Sequence, residues 1–216
     1  MEENTTNISV IIPTASDLYL EKCLESVLNS INKYGKTTEI ILVNNRPQNQ
    51  EIKKIAEKFK VQYVEEKNPG SYRARNGGAR KAQGDILAFC DVDCVVTENW
   101  LNEMEKSLAN NEAVIGKTEG INENKTAKLE QMFYEMLMKN ALVDTRNFGI
   151  KKSTFNHLGG FNEKLAFGGD MEFGARLDNQ NFKIGRNEKM IVKHHNPTRI
   201  MKIILKRITQ NFDNYN

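Results

Sequence analysis

Short apolar runs alternate with longer amphipathic segments through the first half of the chain. The runs predict strands, and the segments, in which apolar residues recur at helical spacing, predict helices. The predicted strands cover residues 8–13, 39–43, 61–64 and 86–90, and the helices that follow them cover 18–31, 48–59, 71–82 and 97–109. Strands that are apolar throughout are typical of a parallel sheet with helices on both faces. The pattern therefore predicts an α/β fold with a doubly wound, Rossmann-like and mostly parallel central sheet.

The alternation stops after Gly120, and the second half has a different pattern. It predicts a long helix over 125–143, short helices over 151–158 and 170–177, a strand over 190–193 and a helix from 198 onward. Thr97 is a predicted N-cap of the fourth helix, with Glu98 in its first turn, and Gly84 is a predicted C-terminal glycine of the third. No internal repeat or low-complexity linker divides the sequence, which favours one domain over residues 1–216.

Composition and charge narrow the function classes. Hydrophobic residues make up 39% of the 216 residues and charged residues 27%, which is typical of a globular chain. A net charge of +3 gives no reason to expect a nucleic-acid partner. The three cysteines form no C-x-x-C pair, so a reducing, cytoplasmic location is expected. The polar start MEENTTN is unlike a signal peptide, and no run approaches the roughly 18 apolar residues of a membrane span.

The C-terminal region is basic. Residues 182–210 contain eight Lys and Arg and one Glu, and isoleucines lie on one side of a predicted helix over 198–212. Such a helix binds peripherally to an anionic membrane surface, or it packs its apolar stripe on the sheet. Both interpretations stay open at this stage, the first placing the protein at the inner face of the membrane.

Polar residues follow each of the four early strands. They are residues 14–17, Asn44 with Asn45, residues 65–68, and the turn Asp91-Val92-Asp93. Because ligands of open parallel sheets bind beyond the carboxyl ends of the strands, we expect these residues to share one crevice. Paired carboxylates such as Asp91 and Asp93 suit Mg²⁺ or Mn²⁺, which bridge to substrate phosphates. The alternative is a solvated turn or a helix cap.

Three further segments carry candidate chemistry. Residues 70–78 open a helix with glycines and two arginines, a pattern that holds anions but also occurs at ordinary loop-to-helix junctions. Asp170 follows a glycine pair at a predicted helix start, where it either accepts a proton from a hydroxyl or caps the helix. His194 and His195 follow the last predicted strand and are candidate metal ligands. A zinc site that combines them with Cys90 and Cys94 fits no standard spacing.

Taken together and in order, these segments resemble the family 2 glycosyltransferases, which have the GT-A fold. The resemblance runs from Ile8 to His195 and rests on ISVIIPT, EIILV before Asn44, ARNGGARKAQGDI, the DVD turn, HLGGFNE and GDMEFGARL. It implies a nucleotide-binding half over 7–118 and an acceptor-side half over 119–197. It also implies an inverting enzyme that moves a sugar from a nucleotide-diphosphate sugar, with a UDP-sugar expected. The implied acceptor is a glycan or a lipid-linked molecule in surface polysaccharide or other glycan synthesis.

The resemblance also implies roles for individual residues. Asp170 matches the general base of the family, and Glu172 and Arg176 match its supporting acidic and basic positions. The nucleotide sugar is expected to contact Pro13, Thr14, Asn44, Arg75, Asp91, Val92 and Asp93. A Mn²⁺ or Mg²⁺ ion is expected at Asp93, with Asp91, His194 and His195 as further candidate ligands.

Two positions depart from the family pattern. Asn44 and Asn45 stand where an aspartate is common, so a contact with the base there carries no charge. Gly169 stands where a glutamate commonly precedes the general base, which removes a carboxylate beside the acceptor. This second departure motivates an alternative function, a catalytically silent module that binds a sugar nucleotide or a glycan. A sugar-1-phosphate nucleotidyltransferase is disfavoured because the first loop, TASD, is not rich in glycine.

Overall fold

A computed structural model describes residues 7–199 and Met201. The elements, in chain order, are β1 (Ile8–Thr14), α1 (Leu20–Tyr34), β2 (Thr38–Asn44), α2 (Gln50–Phe59), β3 (Gln62–Glu65), α3 (Ser71–Lys81), β4 (Ile86–Phe89), β5 (Cys94–Val96), α4 (Trp100–Leu108), β6 (Ala113–Ile121), α5 (Lys125–Met138), β7 (Phe148–Lys151), α6 (Lys152–His157), α7 (Gly169–Asn179) and β8 (Ile184–His195). The predicted helix over 198–212 lies outside the described residues, apart from its first two residues and Met201. None of the described helices is both long enough and apolar enough to cross a bilayer.

One sheet contains these eight strands, in the order β3-β2-β1-β4-β7-β6-β8-β5. Strands β1 to β4 pair in parallel at one side of the sheet. Strand β7 is antiparallel to both β4 and β6, β6 and β8 are parallel, and β5 is antiparallel to β8. The predicted α/β fold is therefore confirmed, and its sheet is mixed where the alternation in the sequence stops.

The parallel side of the sheet brings the carboxyl ends of its strands together. Strand β1 is buried at all seven positions, which requires the largely apolar sequence ISVIIPT on both faces. In register, Thr14 lies opposite Asn44 of β2, which in turn lies opposite Glu65 of β3. Helices α1, α2 and α4 cover one apolar core, and α3, α6 and α7 cover a second core that contains five phenylalanines. Polar residues after the strands consequently meet at one edge.

Three strands, β5, β6 and β7, were not predicted from the sequence. Strand β5 has three residues, β7 has four and includes a glycine, and β6 (AVIGKTEGI) carries polar residues that obscure its buried positions. Each is a strand because the neighbouring strands supply its backbone partners. The predicted strand over 190–193 is part of the much longer β8, and the helix predicted over 125–143 ends at Met138.

Three boundary signals were also wrong. Helix α1 begins at Leu20 rather than at 18. Thr97 does not cap α4, because its N–H and hydroxyl donate to the Ile191 carbonyl at 3.1 and 3.2 Å, and Asn99 is the N-cap. Gly84 does not end α3, which stops at Lys81. It allows a close approach to β1 instead, since a Cβ on Gly84 would lie 2.8 Å from the backbone nitrogen of Ser9.

Asn147, fully buried directly before β7, joins three elements of the fold. The pairing of β6 with β8 is interrupted by a bulge between Gly116 and Lys117. Nδ2 of Asn147 donates to the carbonyls of Lys117 and Met190, at 2.9 and 2.8 Å, and its Oδ1 accepts the indole N–H of Trp100 at 2.8 Å. The side chain thus satisfies buried polar groups that the strand ladder leaves open.

Replacing Asn147 with alanine is expected to lower the free energy of unfolding by about 3 kcal/mol, because three buried polar groups lose partners that contribute about 1 kcal/mol each. Equilibrium urea unfolding measures the change. The control is Asn179→Ala at the exposed end of α7, which should stay within about 0.5 kcal/mol of the unchanged protein. Equal unfolding midpoints for the two variants would contradict the structural role of Asn147.

Candidate functional site

Two adjoining cavities open where the parallel strands end. The larger has a volume of about 330 Å³ and the smaller about 200 Å³. Four residues line both of them, namely Ser71, Arg75, Asp91 and Asp93. The start of α3 and the turn between β4 and β5 therefore form the wall that the two cavities share.

The smaller cavity is lined by the loop after β1 and by the DVD turn. Pro13, Thr14 and Ala15 lie on one side, and Val92 lies on the other between the two aspartates. Thr14 Oγ1 donates to the Ser16 carbonyl at 2.6 Å and accepts the Ser16 N–H at 3.1 Å. These bonds fix the loop, so that the cavity wall beside β1 is formed largely by ordered backbone.

Asn45, rather than Asn44, lines the smaller cavity. Asn44 is fully buried, with its Nδ2 donating to the Tyr63 hydroxyl at 3.0 Å and its Oδ1 accepting the Arg46 N–H at 2.8 Å. Asn45 Oδ1 accepts the Gly70 N–H at 2.9 Å, which ties the loop after β2 to the start of α3. The predicted contact residue Asn44 thus lies behind the cavity wall, where its polar atoms are satisfied internally.

A buried ion pair forms the centre of the shared wall. Arg75 is 4% exposed, and its Nη2 donates to Oδ1 of Asp91. The guanidinium carbon lies 5.6 Å from the centre of the Tyr72 ring. Burial lowers the pKa of Arg75, but the carboxylates of Asp91 and then Asp170 more than offset it, so the net shift is upward and the guanidinium stays charged. Burial also raises the pKa of Asp91, which Arg75 opposes.

Asp93 is held by the strand next to it. Its Oδ2 lies 3.3 Å from Nε2 of His194, and Nδ1 of that ring lies 2.8 Å from Oδ1 of Asn196. Asn196 in turn donates through Nδ2 to Oε1 of Gln131 at 3.1 Å, which leaves its Oδ1 to accept a hydrogen bond from Nδ1 of His194. Burial raises the pKa of Asp93, but His194 and Arg146 bring it below its ordinary value, so the carboxylate is ionised at neutral pH.

Asp93 and His194 are side chains of the types that serve as ligands of divalent cations. A neutral His194 ring that donates from Nδ1 has a lone pair on Nε2, which can bind a divalent cation in place of the direct contact with Asp93. Among the described residues, no group of three or more His, Cys, Asp or Glu is placed to hold an ion. A carboxylate and an imidazole are side chains that Mg²⁺ or Mn²⁺ can bind, and such ions usually take further ligands from water and substrate phosphates.

The backbone N–H of His195 donates to the Asp93 carbonyl at 2.9 Å, but its ring has other partners. Its ring stacks on Tyr19 with the ring centres 4.2 Å apart, and its Nδ1 lies 3.8 Å from Oε1 of Glu123. Burial lowers the pKa of His195, with Lys22 adding to the effect. His195 lines neither cavity, so the structure brings only one of the two predicted histidines to the aspartates.

Asp170 lies in the first turn of α7 and lines the larger cavity. The N–H and the hydroxyl of Thr145 both donate to Oδ2 of Asp170, each at 3.2 Å. The Asp170 N–H donates to the Tyr72 hydroxyl at 3.3 Å. Gly168 occupies the N-cap position and no side chain caps the helix, so the alternative interpretation of Asp170 as a capping residue is wrong.

The packing of Tyr72 explains Gly169. A Cβ at position 169 would lie 2.6 Å from Cε2 and Cζ of the Tyr72 ring. A glutamate there is incompatible with this ring position, and Tyr72 itself lines the larger cavity. Burial, and next the charge of Asp170, raise the pKa of Tyr72, so its hydroxyl keeps its proton. In this chain an aromatic ring occupies the space beside the candidate base.

Glu172 and Arg176 lie outside both cavities. Nε of Arg176 donates to Oε1 of Glu172 at 2.7 Å, one turn away on α7. Arg176 Nη2 also donates to the Gly160 carbonyl at 2.8 Å. The pair thus anchors the HLGG loop to α7, and its contact with the site is indirect.

The residues of the larger cavity that were missed from the sequence include Tyr134 of α5 and the segment Asp144, Thr145 and Arg146. Asp144 is 2% exposed and accepts hydrogen bonds from the Tyr134 hydroxyl and, at 3.0 Å, from Nε of Arg146. Burial raises the pKa of Asp144, but Arg146 and Tyr134 bring it below its ordinary value. The signal was the polar run DTRN between apolar residues, a pattern that a buried charge pair produces.

Asp91→Ala is expected to lower the free energy of unfolding by about 3 kcal/mol, because it leaves the buried Arg75 guanidinium without its main partner. Asp93→Ala should cost less than about 1 kcal/mol, since the Asp93 side chain is 36% exposed and its partner lies at 3.3 Å. Urea unfolding of both variants makes the comparison. An Asp91 variant that is as stable as the Asp93 variant would contradict the proposed dependence of Arg75 on Asp91.

Comparisons with known proteins agree with this fold. The family model described as Glycosyl transferase family 2 matches residues 9–167. Glycosyltransferase AglE of Haloferax volcanii is 28% identical over 216 residues, which cover 93% of this chain and 70% of AglE. Minor teichoic acid biosynthesis protein GgaB of Bacillus subtilis is 32% identical over 105 residues, which cover 45% of this chain and 12% of GgaB.

A solved structure shows the same fold. The crystal structure of residues 1–349 of S. aureus TarS superposes with a TM-score of 0.66 at 17% identity, covering 88% of this chain and 60% of that one. The central sheet and its helices match this GT-A-like structure, which confirms the predicted fold class. The chain spans 70% of AglE and smaller parts of GgaB and the TarS fragment. From its matched residues, the chain belongs to glycosyl transferase family 2, which confirms the resemblance seen in its motifs and the prediction of a glycosyltransferase.

Proposed function

We propose that this protein transfers a sugar from a nucleotide-diphosphate sugar, expected to be a UDP-sugar, with inversion at the anomeric carbon. The observation that carries the proposal is that Asp170 and the pair Asp91 and Asp93, from distant parts of the chain, line one cavity. Inverting displacement needs a base on one side of the sugar and charge stabilisation on the other. A cavity with carboxylates from both the DVD turn and α7 supports that division.

The donor is proposed to occupy both cavities, with its nucleoside in the smaller one. Pro13, Thr14, Asn45 and Val92 line that cavity and supply backbone and amide groups suited to a base and ribose. The diphosphate then lies against the shared wall, where the charged Arg75 guanidinium offsets part of its negative charge. In this proposal Asn44 does not contact the donor. It fixes the end of β2 from behind the cavity wall.

Enzymes of this family generally depend on a divalent cation. In this chain Asp93 and His194 are the side chains proposed to hold Mn²⁺ or Mg²⁺, with Asp91 next to them on the same turn. A cation held there would supply positive charge that stabilises the departing nucleotide diphosphate. Asn196 keeps the His194 ring in the orientation this requires.

Asp170 is proposed as the general base. Its carboxylate accepts the proton of the acceptor hydroxyl as that oxygen forms a bond to the anomeric carbon and the bond to the diphosphate oxygen breaks. Thr145 holds the carboxylate through two donated hydrogen bonds, which limits its rotation. The base therefore meets the acceptor with few accessible orientations, which favours the reacting geometry.

The acceptor is proposed to be a glycan or a lipid-linked molecule in surface polysaccharide or other glycan synthesis. Two relatives, a glycosyltransferase and a minor teichoic acid biosynthesis protein, agree with that class. We also propose a cytoplasmic location. The cysteines Cys23, Cys90 and Cys94 are buried free thiols, in keeping with a reducing compartment.

Asp170→Asn should leave donor binding within about twofold and reduce sugar transfer by about a hundredfold or more, because the amide cannot take the proton. Donor affinity is measured by calorimetry with Mn²⁺ present, and turnover by release of the nucleotide diphosphate from a panel of nucleotide sugars. Asp178→Asn, an exposed aspartate near the end of the same helix, is the matched control and should leave both quantities unchanged.

Three outcomes of this experiment differ in meaning. Turnover that survives in the Asp170 variant would remove Asp170 as the base. An unchanged protein that binds a donor but never releases nucleotide would favour the silent binding module. Loss of donor binding in the Asp170 variant alone would show that the carboxylate helps to hold the donor.

The ligand assignment predicts different behaviour for the two neighbouring histidines. His194→Gln should weaken Mn²⁺ binding by about tenfold or more, since second-shell and ligand changes have effects of that size, whereas His195→Gln should leave it nearly unchanged. Electron paramagnetic resonance of free Mn²⁺, titrated with protein and UDP, measures the affinity independently of turnover. Equal Mn²⁺ affinities for the two variants would refute the role of His194.

A further inference from the structure

Helix α5 has its polar side turned inward and its apolar side turned outward. The inward residues Ala127, Glu130 and Gln131 are buried, and Gln131 donates to the Thr118 carbonyl at 3.1 Å. Most helices that cover a sheet bury an apolar stripe and expose charged residues. The reversal in α5 shows that packing against the protein's own core does not account for its apolar residues.

The outward residues form one continuous surface, which we call the α5 apolar face. It consists of Leu129, Met132, Phe133, Met136 and Leu137, which are 41, 59, 45, 65 and 59% exposed. Their spacing of three and four residues places them on one side of the helix. Contiguous apolar surface of this kind marks an interaction site, whereas single exposed apolar residues are ordinary.

Position connects this face with the candidate active site. Leu137 belongs to the face and also lines the larger cavity, together with Met138. Whatever covers the face therefore lies at the mouth of the cavity that contains Asp170. A substrate carried by that occupant would therefore lie close to the candidate active site.

Charge identifies the occupant. Lys125 and Lys128 are exposed near the start of α5. The exposed acidic residue of the helix, Glu135, lies near its other end. The described chain also returns to this helix, since Nδ2 of Asn124 donates to the Thr198 carbonyl at 2.9 Å. The sequence that follows, residues 199–207, has four basic and no acidic residues. An apolar face bordered by cations is the pattern by which a helix lies in the surface of an anionic bilayer.

We propose that the α5 apolar face docks the protein on an anionic lipid bilayer and thereby turns the mouth of the larger cavity toward the membrane. The docking itself does not depend on catalysis. Its consequence for catalysis rests on the proposed function: the acceptor is then a lipid-linked molecule whose sugar-accepting group enters the cavity from the bilayer surface.

Vesicle co-sedimentation of the full 216-residue chain tests the proposal. The probes are phosphatidylcholine vesicles with and without phosphatidylglycerol. The double variant Met132→Gln/Met136→Gln removes apolar surface from the face without touching the cavity residues. Its matched control is Met171→Gln, a methionine that is 77% exposed and belongs to a different helix, α7.

The unchanged chain should bind the phosphatidylglycerol vesicles. The double variant should bind them at least about tenfold more weakly, whereas the control should bind them as the unchanged chain does. All three proteins should unfold at similar urea concentrations, because the replaced side chains are exposed. Equal vesicle binding by the double variant would overturn the proposal, as would absence of binding by the unchanged chain. A dimer that the double variant dissociates, seen by analytical ultracentrifugation, would assign the face to a second copy instead. None of these readouts uses turnover, so failure of the catalytic proposal is detected separately.

Discussion

The candidate site depends on keeping one guanidinium charged in a place that water barely reaches. An isolated charge in such surroundings is strongly destabilising, so Arg75 needs carboxylates around it. Asp91 provides one from the turn after β4, and Asp170 adds a second from α7. These groups come from three distant parts of the sequence and act together only when the strand ends and α7 are correctly packed. The electrostatics of the site and the folding of the chain are therefore coupled.

The parallel side of the sheet was predictable because its strands are buried on both faces. Such strands must be apolar at nearly every position, and no other pattern in the chain imitates them, as ISVIIPT and EIILV illustrate. The rule that ligands lie beyond the carboxyl ends of parallel strands then located Thr14, Asp91 and Asp93 at one edge. For this side of the sheet, the local sequence pattern is therefore enough to predict both the strands and the edge at which the site lies.

Other features depend on pairings that no local pattern encodes. Strands β5 and β7 are too short to recognise alone and exist because β8, β4 and β6 pair with them. Asn44 and Asn45 are identical in type, and only the direction in which each leaves the strand end decides that the second one lines the cavity. Helix α5 was predicted from its apolar residues, yet those residues point outward, because the charged network around Asp144 needs its polar side.

Four consecutive residues before β7 have two different roles, in holding the segment in place and in lining the larger cavity. Asp144 and Asn147 are fixed by buried hydrogen bonds, and Thr145 and Arg146 between them line the larger cavity. The exposed turn just upstream, at Lys139 and Asn140, carries no such constraint. We expect insertions there to change the mouth of the larger cavity while the sheet and the contact of Thr145 with Asp170 stay intact. In proteins that evolve from this chain, changes at this turn can therefore alter the acceptor without loss of folding stability.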